Sequence, residues 1–323
     1  MLLRPKFLAG LALTMVTVTP IMAETVYVTL EDEHALAAVS LTEGRVLGRY
    51  RVGQRPRGIA ADAKGQTLWV AVSDDDAIVA VNASNGKVLA KLPSGKDPET
   101  FALDPLGHRL YVSNENDNAV TVVDLDRHHL LKTIPVGVEP EGICTSPDGA
   151  LVASTSETTN MVHWIDTAEL KIIDNTPVDP RPRACTFSPD GKTLWVSSEI
   201  AGTVSIIDVA TRRLESRLSF QIPGVTAEKI QPVGIRIDRQ QQRAYVALGP
   251  SNRVAIIDVG RRAVLQYLLV GQRVWNLAFN GDESRLITAN GLSNDISIID
   301  VAAAKVLKSV AVGRGPWGLV VGP

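Results

Sequence analysis

The sequence predicts an all-β fold, a seven-bladed β-propeller of four-stranded antiparallel blades, closed by N-terminal strands B–D pairing with a C-terminal strand A. Three observations predict it: an internal repeat of 42 residues, short apolar runs rich in β-branched residues, and chain ends that are complementary parts of one repeat. A proline in a Pro-x-Gly-like context recurs at Pro56, Pro98, Pro140 and Pro182. It returns at Pro232 after a stretched interval of 50, then at Pro316, with Val274 holding the place between. Asn82, Asp124, Asp166, Asp208, Asp258 and Asp300 keep the same beat, each behind an apolar run. A period of this length accommodates four short strands with their turns, whereas a helical repeat would space its apolar residues at 3.6.

Each repeat parses alike. Strand A follows the proline, as in Gly142–Thr145, and a Pro-Asp-Gly turn such as Pro147-Asp148-Gly149 leads into strand B, as in Thr67–Val72. Proline presets φ and glycine tolerates positive φ, so the turn has a mechanism. A polar loop such as Asn114–Asn118 leads to strand C, Ala119–Asp124, and a short turn to strand D, as in Lys87–Leu92. Glu24 aligns with Ala150, the first residue after the turn, so Glu24–Arg49 supplies strands B, C and D, while Pro316–Val321 supplies strand A. Six internal repeats and this shared one make seven. Sharing a blade between the ends removes open sheet edges.

The first 23 residues read as a signal peptide: Arg4 and Lys6, an uncharged run Phe7–Val18, then Pro20 and Ala23. A buried N-terminal helix or an uncleaved anchor are the other readings. The domain organisation is thus residues 1–23 as signal and 24–323 as a single propeller, expected in the periplasm of a Gram-negative bacterium. The 33 basic and 35 acidic residues are dispersed, which argues against nucleic acid and, after cleavage, against membrane. Cys144 and Cys185 fall on corresponding strands of neighbouring blades one register step apart. Their side chains then leave opposite faces, which argues against a bridge and leaves the pairing open.

An up-down meander puts the D–A and B–C loops at one end of every blade. The D–A loops carry Arg55, Arg57, Asp97, Glu99, Glu139, Glu141, Arg181, Arg183, Gln231, Arg273, Trp275 and Trp317, and the B–C loops add Glu31, Glu115, Glu157 and Glu199. Strand A lines a propeller's channel, so this mixed-charge set is the candidate channel mouth, suited to a protein partner or a small polar ligand. The same charges would also serve as solvation or as bridges between blades. The extra eight residues around Phe220–Val225 read as an extended D–A loop at that end.

The sequence lacks the G-x-S-x-G, H-E-x-x-H, P-loop and G-x-G-x-x-G patterns. Its five histidines, His34, His108, His128, His129 and His163, occupy different repeat positions and read as surface or turn residues rather than metal ligands. No catalytic residue, metal or cofactor is expected, although Glu99 and Glu141 could face each other across the mouth as a carboxylate pair.

Leu110-Tyr-Val-Ser-Asn114 and Leu194-Trp-Val-Ser-Ser198 resemble YVTN-type propeller repeats. Val136–Gly142, Ser156–Asn160, Trp195–Glu199, Gln231–Ile235, Leu269–Trp275 and Gly291–Asp295 resemble the β-propeller proteins associated with PQQ-dependent catabolism. The resemblance implies a non-catalytic periplasmic accessory protein working beside quinoprotein alcohol oxidation, with a quinoprotein dehydrogenase system as a partner. The tryptophan-docking motif and adjacent cysteines of PQQ dehydrogenases are missing, so bound PQQ is not implied. A lactonase-like hydrolase, or a structural subunit of a quinoprotein dehydrogenase complex, are the alternatives.

Overall fold

The computed structural model describes residues 24–322. The predicted signal segment and Pro323 lie outside them. Seven four-stranded antiparallel sheets follow one another around an axis. Blade 1 takes strand A from Pro316–Gly322 and strands B, C and D from Thr25–Leu30, Ala35–Ser40 and Arg45–Arg51. The A strands of blades 2 to 7 are Pro56–Ala61, Pro98–Leu103, Pro140–Thr145, Pro182–Phe187, Ile235–Ile237 and Val274–Phe279. The closure has the predicted form, with Thr25 opposite Gly322 and Val28 opposite Leu319.

The repeat markers have local causes. The Asp or Asn that ends strand C in blades 2 to 7 accepts backbone N–H groups of the C–D hairpin: Asp124 from Arg127, Asp208 from Thr211, Asp258 from Arg261, Asp300 from Ala303. A carboxylate or amide at that position satisfies the turn. In the A–B turns, the Gly149 and Gly191 N–H groups return to the Ser146 and Ser188 carbonyls with φ near 70°.

The core lies between blades rather than within them. Seven apolar clusters each straddle two neighbours; one joins Tyr27, Leu36 and Ala38 of blade 1 to Leu68, Val70 and Val79 of blade 2. Alternate residues of one strand serve opposite clusters, Leu68 and Val70 facing back while Trp69 and Ala71 face on. Strands B and C are therefore covered on both faces, which is why they read as unbroken apolar runs. Strand D, outermost, alternates exposed and half-buried residues, as in Arg213–Ser219.

The same geometry corrects the cysteine reading. Cys144 and Cys185 form a disulfide with Cα atoms 5.9 Å apart. Opposite faces of equivalent strands look towards each other when blades stack face to face, so a one-step register difference favours the bridge. The histidine reading is corrected at His163. It is buried in strand C of blade 4, Met161–Asp166, where Nε2 accepts from the Gly137 N–H at 2.9 Å and Nδ1 meets Asn175 Oδ1 at 2.6 Å. Burial holds its pKa below the ordinary value.

Two outcomes follow from this architecture. Deleting 312–323 strips strand B of its partner; the expected result is a lower melting temperature or aggregation, and a truncated protein that melts like the intact one would contradict the closure. Replacing Cys144 and Cys185 together with alanine frees a loop with a sequence separation of 41, for which chain entropy predicts a loss of about 4 kcal/mol at most. Denaturant unfolding of the double variant measures it.

Candidate functional site

The predicted mouth residues do converge on one end, and a repeated backbone device places them. The residue before the strand-A proline or its equivalent adopts a left-handed conformation at Arg55, Asp97, Glu139, Arg181, Arg273 and Gly315, with φ between 49° and 66°. Its N–H donates to a side chain in the B–C turn of the blade just left: Arg55 to His34, Asp97 to Asp76, Glu139 to Asn118, Arg181 to Asn160, Arg273 to Asn252, Gly315 to Asn294. Its carbonyl accepts from the B–C turn of the blade entered, as when Glu115 donates to Asp97 at 3.0 Å and Glu199 to Arg181 at 2.8 Å. The crossover into blade 6 departs from this pattern. There the eight extra residues are anchored rather than free, because Phe220, Ile222 and Ile230 are buried in the cluster between blades 5 and 6.

Close approach of neighbouring A strands completes the frame. A Cβ at Gly318 would lie 2.4 Å from the Arg57 carbonyl oxygen, and one at Gly142 2.5 Å from that of Arg183. Glycine is required there because backbone meets backbone.

On this frame the charges form two cages. In the first, Arg55 reaches Glu31 at 3.1 Å, Asp97 at 2.7 Å and Glu99 at 2.9 Å, while Arg57 bonds Glu31 at 2.9 Å and the other oxygen of Glu99. Glu99 is fully buried. In the second, Arg183 pairs with Glu141 at 2.7 Å and with Glu157; Arg181 pairs with Glu157 at 3.1 Å and Glu199 at 3.0 Å; Arg273 pairs with Glu199 at 2.8 Å. The tryptophans back the guanidinium groups, Arg273 lying 4.0 Å over the Trp275 ring and Arg57 5.1 Å over Trp317. Glu139 stays outside both cages, accepting from Thr158. Glu115 brings a carboxylate oxygen within 4.8 Å of those of Asp97 and Glu99, beside Arg55 and Arg57.

Burial dominates the electrostatics. It holds the Glu99 carboxyl well above the ordinary range, with Glu141 adding to the rise and Arg57 and Arg55 opposing it. It pushes Glu157 up to about 8 against the pull of Arg183, and raises Glu115, again with help from Glu141. Burial also works against the charge on Arg183, but Glu141, Glu157 and Glu199 outweigh it and hold that guanidinium charged.

Between the cages opens a cavity of about 370 Å³ lined by Arg57, Glu141, Arg181, Glu199, Arg273 and Trp275. Beneath it, inside the channel, a second of about 120 Å³ includes Thr100, Phe101, Arg236, Asn276 and Trp317. Sequence reasoning passed over Arg236. The signal was present, because the fourth position after the strand-A proline reads Ala60, Ala102, Cys144, Thr186, Ala278 and Val320 in the other blades.

Seven four-stranded blades closed by both ends of the described chain, with charged loops at one mouth, define a seven-bladed β-propeller. Residues 16–172 match the profile of the family described as YNCE-like beta-propeller. Curated proteins give no match. Among solved structures, a protein of unknown function from Desulfotomaculum acetoxidans superimposes with a TM-score of 0.80 at 17% identity, covering 93% of this chain and 99% of that one. A candidate 6-phosphogluconolactonase from Bacteroides fragilis gives 0.79 at 18%, over 94% and 99%. The hydrazine synthase of Kuenenia stuttgartiensis gives 0.73 at 22%, over 81% and 88%. At these identities the likeness is one of fold.

The cages predict a pH dependence. Glu157 keeps its proton in the folded state up to about 8 but loses it near 4.5 when unfolded. Its contribution is therefore complete below about 4.5 and lost as pH rises through 8, at no more than about 1.4 kcal/mol per pH unit for each retained proton. Melting temperature should fall between pH 5 and 9, and Glu157→Gln should flatten that fall.

Proposed function

We propose that the protein is a non-catalytic binding propeller, exported to the periplasm, that seats a protein partner or a small polar ligand at its mouth in support of PQQ-dependent alcohol oxidation. The observation that carries the binding reading is the commitment of the mouth carboxylates. Both oxygens of Glu99 are taken by Arg55 and Arg57, and Glu141 and Glu157 are held by Arg183. A general base or nucleophile must present a lone pair to substrate, and Glu99, at 0% exposure, presents none. Rigid cages around an open cavity suit recognition, since their geometry is set before a ligand arrives. Ile200 and Leu292, 68% and 70% exposed in the B–C turns of blades 5 and 7, add apolar points to the rim on which a protein partner would rest. The association with PQQ-dependent oxidation rests on the sequence stretches that resemble that group of propellers.

A second reading, lactone hydrolysis, draws on the raised carboxyl of Glu157, which would be protonated near neutrality and so able to act as a general acid. Thermal-shift measurements with PQQ, alcohols, aldehydes and lactones, followed by turnover assays on each hit, separate the two. The binding reading expects a shift without turnover, weakened at least ten-fold by Arg273→Gln, or a periplasmic partner retained by the wild type and released by the same variant. Enzyme-like lactone turnover abolished by Glu157→Gln would replace it.

A further inference from the structure

Below the cages the channel changes character. Its wall carries Ile59, Phe101, Ile143 and Leu319, with Thr100 and Asn276 as uncharged polar groups. Glu141 and Arg183 close its upper edge as an ion pair, and below them one cation stands without a counter-charge. Arg236 follows Ile235 on the short strand A of blade 6 and projects into this cavity, enclosed by the wall yet keeping some surface on the channel. Among the described residues no carboxylate lies within ion-pair distance of it, and its one hydrogen bond goes back to the carbonyl of Ile235 at 2.8 Å. The Trp317 ring borders the same cavity, and its indole N–H has no partner among the described residues.

This arrangement is unlike the mouth, where every arginine of the cages is paired with at least one carboxylate. A guanidinium has five N–H donors in a rigid fork, and withdrawing it from water without a counter-charge is costly. Burial accordingly pulls the Arg236 pKa below its ordinary value, with no carboxylate to offset the effect. The group that best resolves this is a planar anion able to accept two parallel hydrogen bonds, which is the geometry of a carboxylate. Size and lining narrow the class. A cavity of about 120 Å³ has room for roughly four waters at ~30 Å³ each, so a ligand of about four to six non-hydrogen atoms fits. Its body would meet aliphatic and aromatic side chains. The way in passes Glu141 and Arg183, which border both cavities; these two neutralise each other, so the single unpaired guanidinium balances one negative charge rather than the two of a phosphate dianion.

We propose that the channel is a binding site for a short aliphatic monocarboxylate, held by the Arg236 guanidinium with its alkyl end among Ile59, Phe101 and Leu319. The site is distinct from the mouth and does not depend on the function proposed for it.

Isothermal titration calorimetry of the full-length protein with acetate, propionate and butyrate, and with butyramide and inorganic phosphate as controls, tests the assignment. At least one of the carboxylates should bind ten-fold or more tightly than butyramide and phosphate. Arg236→Met should weaken it at least ten-fold while leaving the melting temperature unchanged or raised, as expected when an unpaired buried charge is replaced by an apolar side chain. Arg273→Gln, in the mouth, should leave carboxylate affinity intact, so failure here and failure of the mouth reading are separable. Equal affinity for the amide, preference for phosphate, no binding, or equal binding by Arg236→Met would each overturn the proposal. Should that variant not fold, the Arg236 side-chain ¹⁵Nε–¹H resonance of the wild type decides: it must shift on adding the carboxylate, and a stationary signal refutes the site.

Discussion

The clamp on the D–A crossover is the constraint on which the rest of this molecule depends. A non-glycine residue in the left-handed region is disfavoured by about 1 kcal/mol or more, yet five of the crossovers carry one. Two hydrogen bonds hold each in place, one to the blade left and one to the blade entered. The clamp therefore ties successive blades together at their inner rim and aims the side chain of the same residue at the mouth. Because backbone atoms make both bonds, the side chain is free to be Arg, Asp or Glu. The scaffold thus leaves the chemistry of the mouth open to variation without disturbing the ring.

What occupies those positions is a balanced polar interior rather than a solvated fringe. Buried ion pairs often return little net stability, since desolvation consumes most of the attraction. Their contribution here is to geometry: Arg183 is anchored from blades 4 and 5, and Arg273 reaches across to Glu199. The elevated carboxyls fit the same picture, because acidic groups outnumber the arginines and the surplus is accommodated by retained protons rather than by repulsion.

Most of the fold was legible because the repeat makes every local signal recur. The Asp at the end of strand C and the proline before strand A each mark a turn with a defined hydrogen-bonding need, and repetition separates such signals from chance. The candidate mouth followed from topology alone. Besides Arg236, three features escaped for physical reasons. The disulfide needed the facing of adjacent blades, which strand register alone does not convey. His163 looked like a turn residue because no residue-type pattern reveals that Asn175 and Gly137 satisfy its ring. The clamp residues His34, Asp76, Asn118, Asn160, Asn252 and Asn294 repeat as regularly as the prolines, but polar residues in loops invite no explanation until their partners are seen.

Blade 1 gives the ring a sense of order in time. Strand B of that blade finds its inner neighbour in Pro316–Gly322, and the Gly318 N–H donates to Thr29 across a separation of 289 residues. Each other blade can assemble from a contiguous stretch of about 40 residues, at modest loop-closure cost. Blade 1 waits for nearly the whole polypeptide. Non-local pairings of this kind form late and slowly, so the ring would be expected to remain open, with one seam unsewn, until the last strand is in hand. The blade that completes the circle is therefore the one whose strands lie furthest apart in sequence.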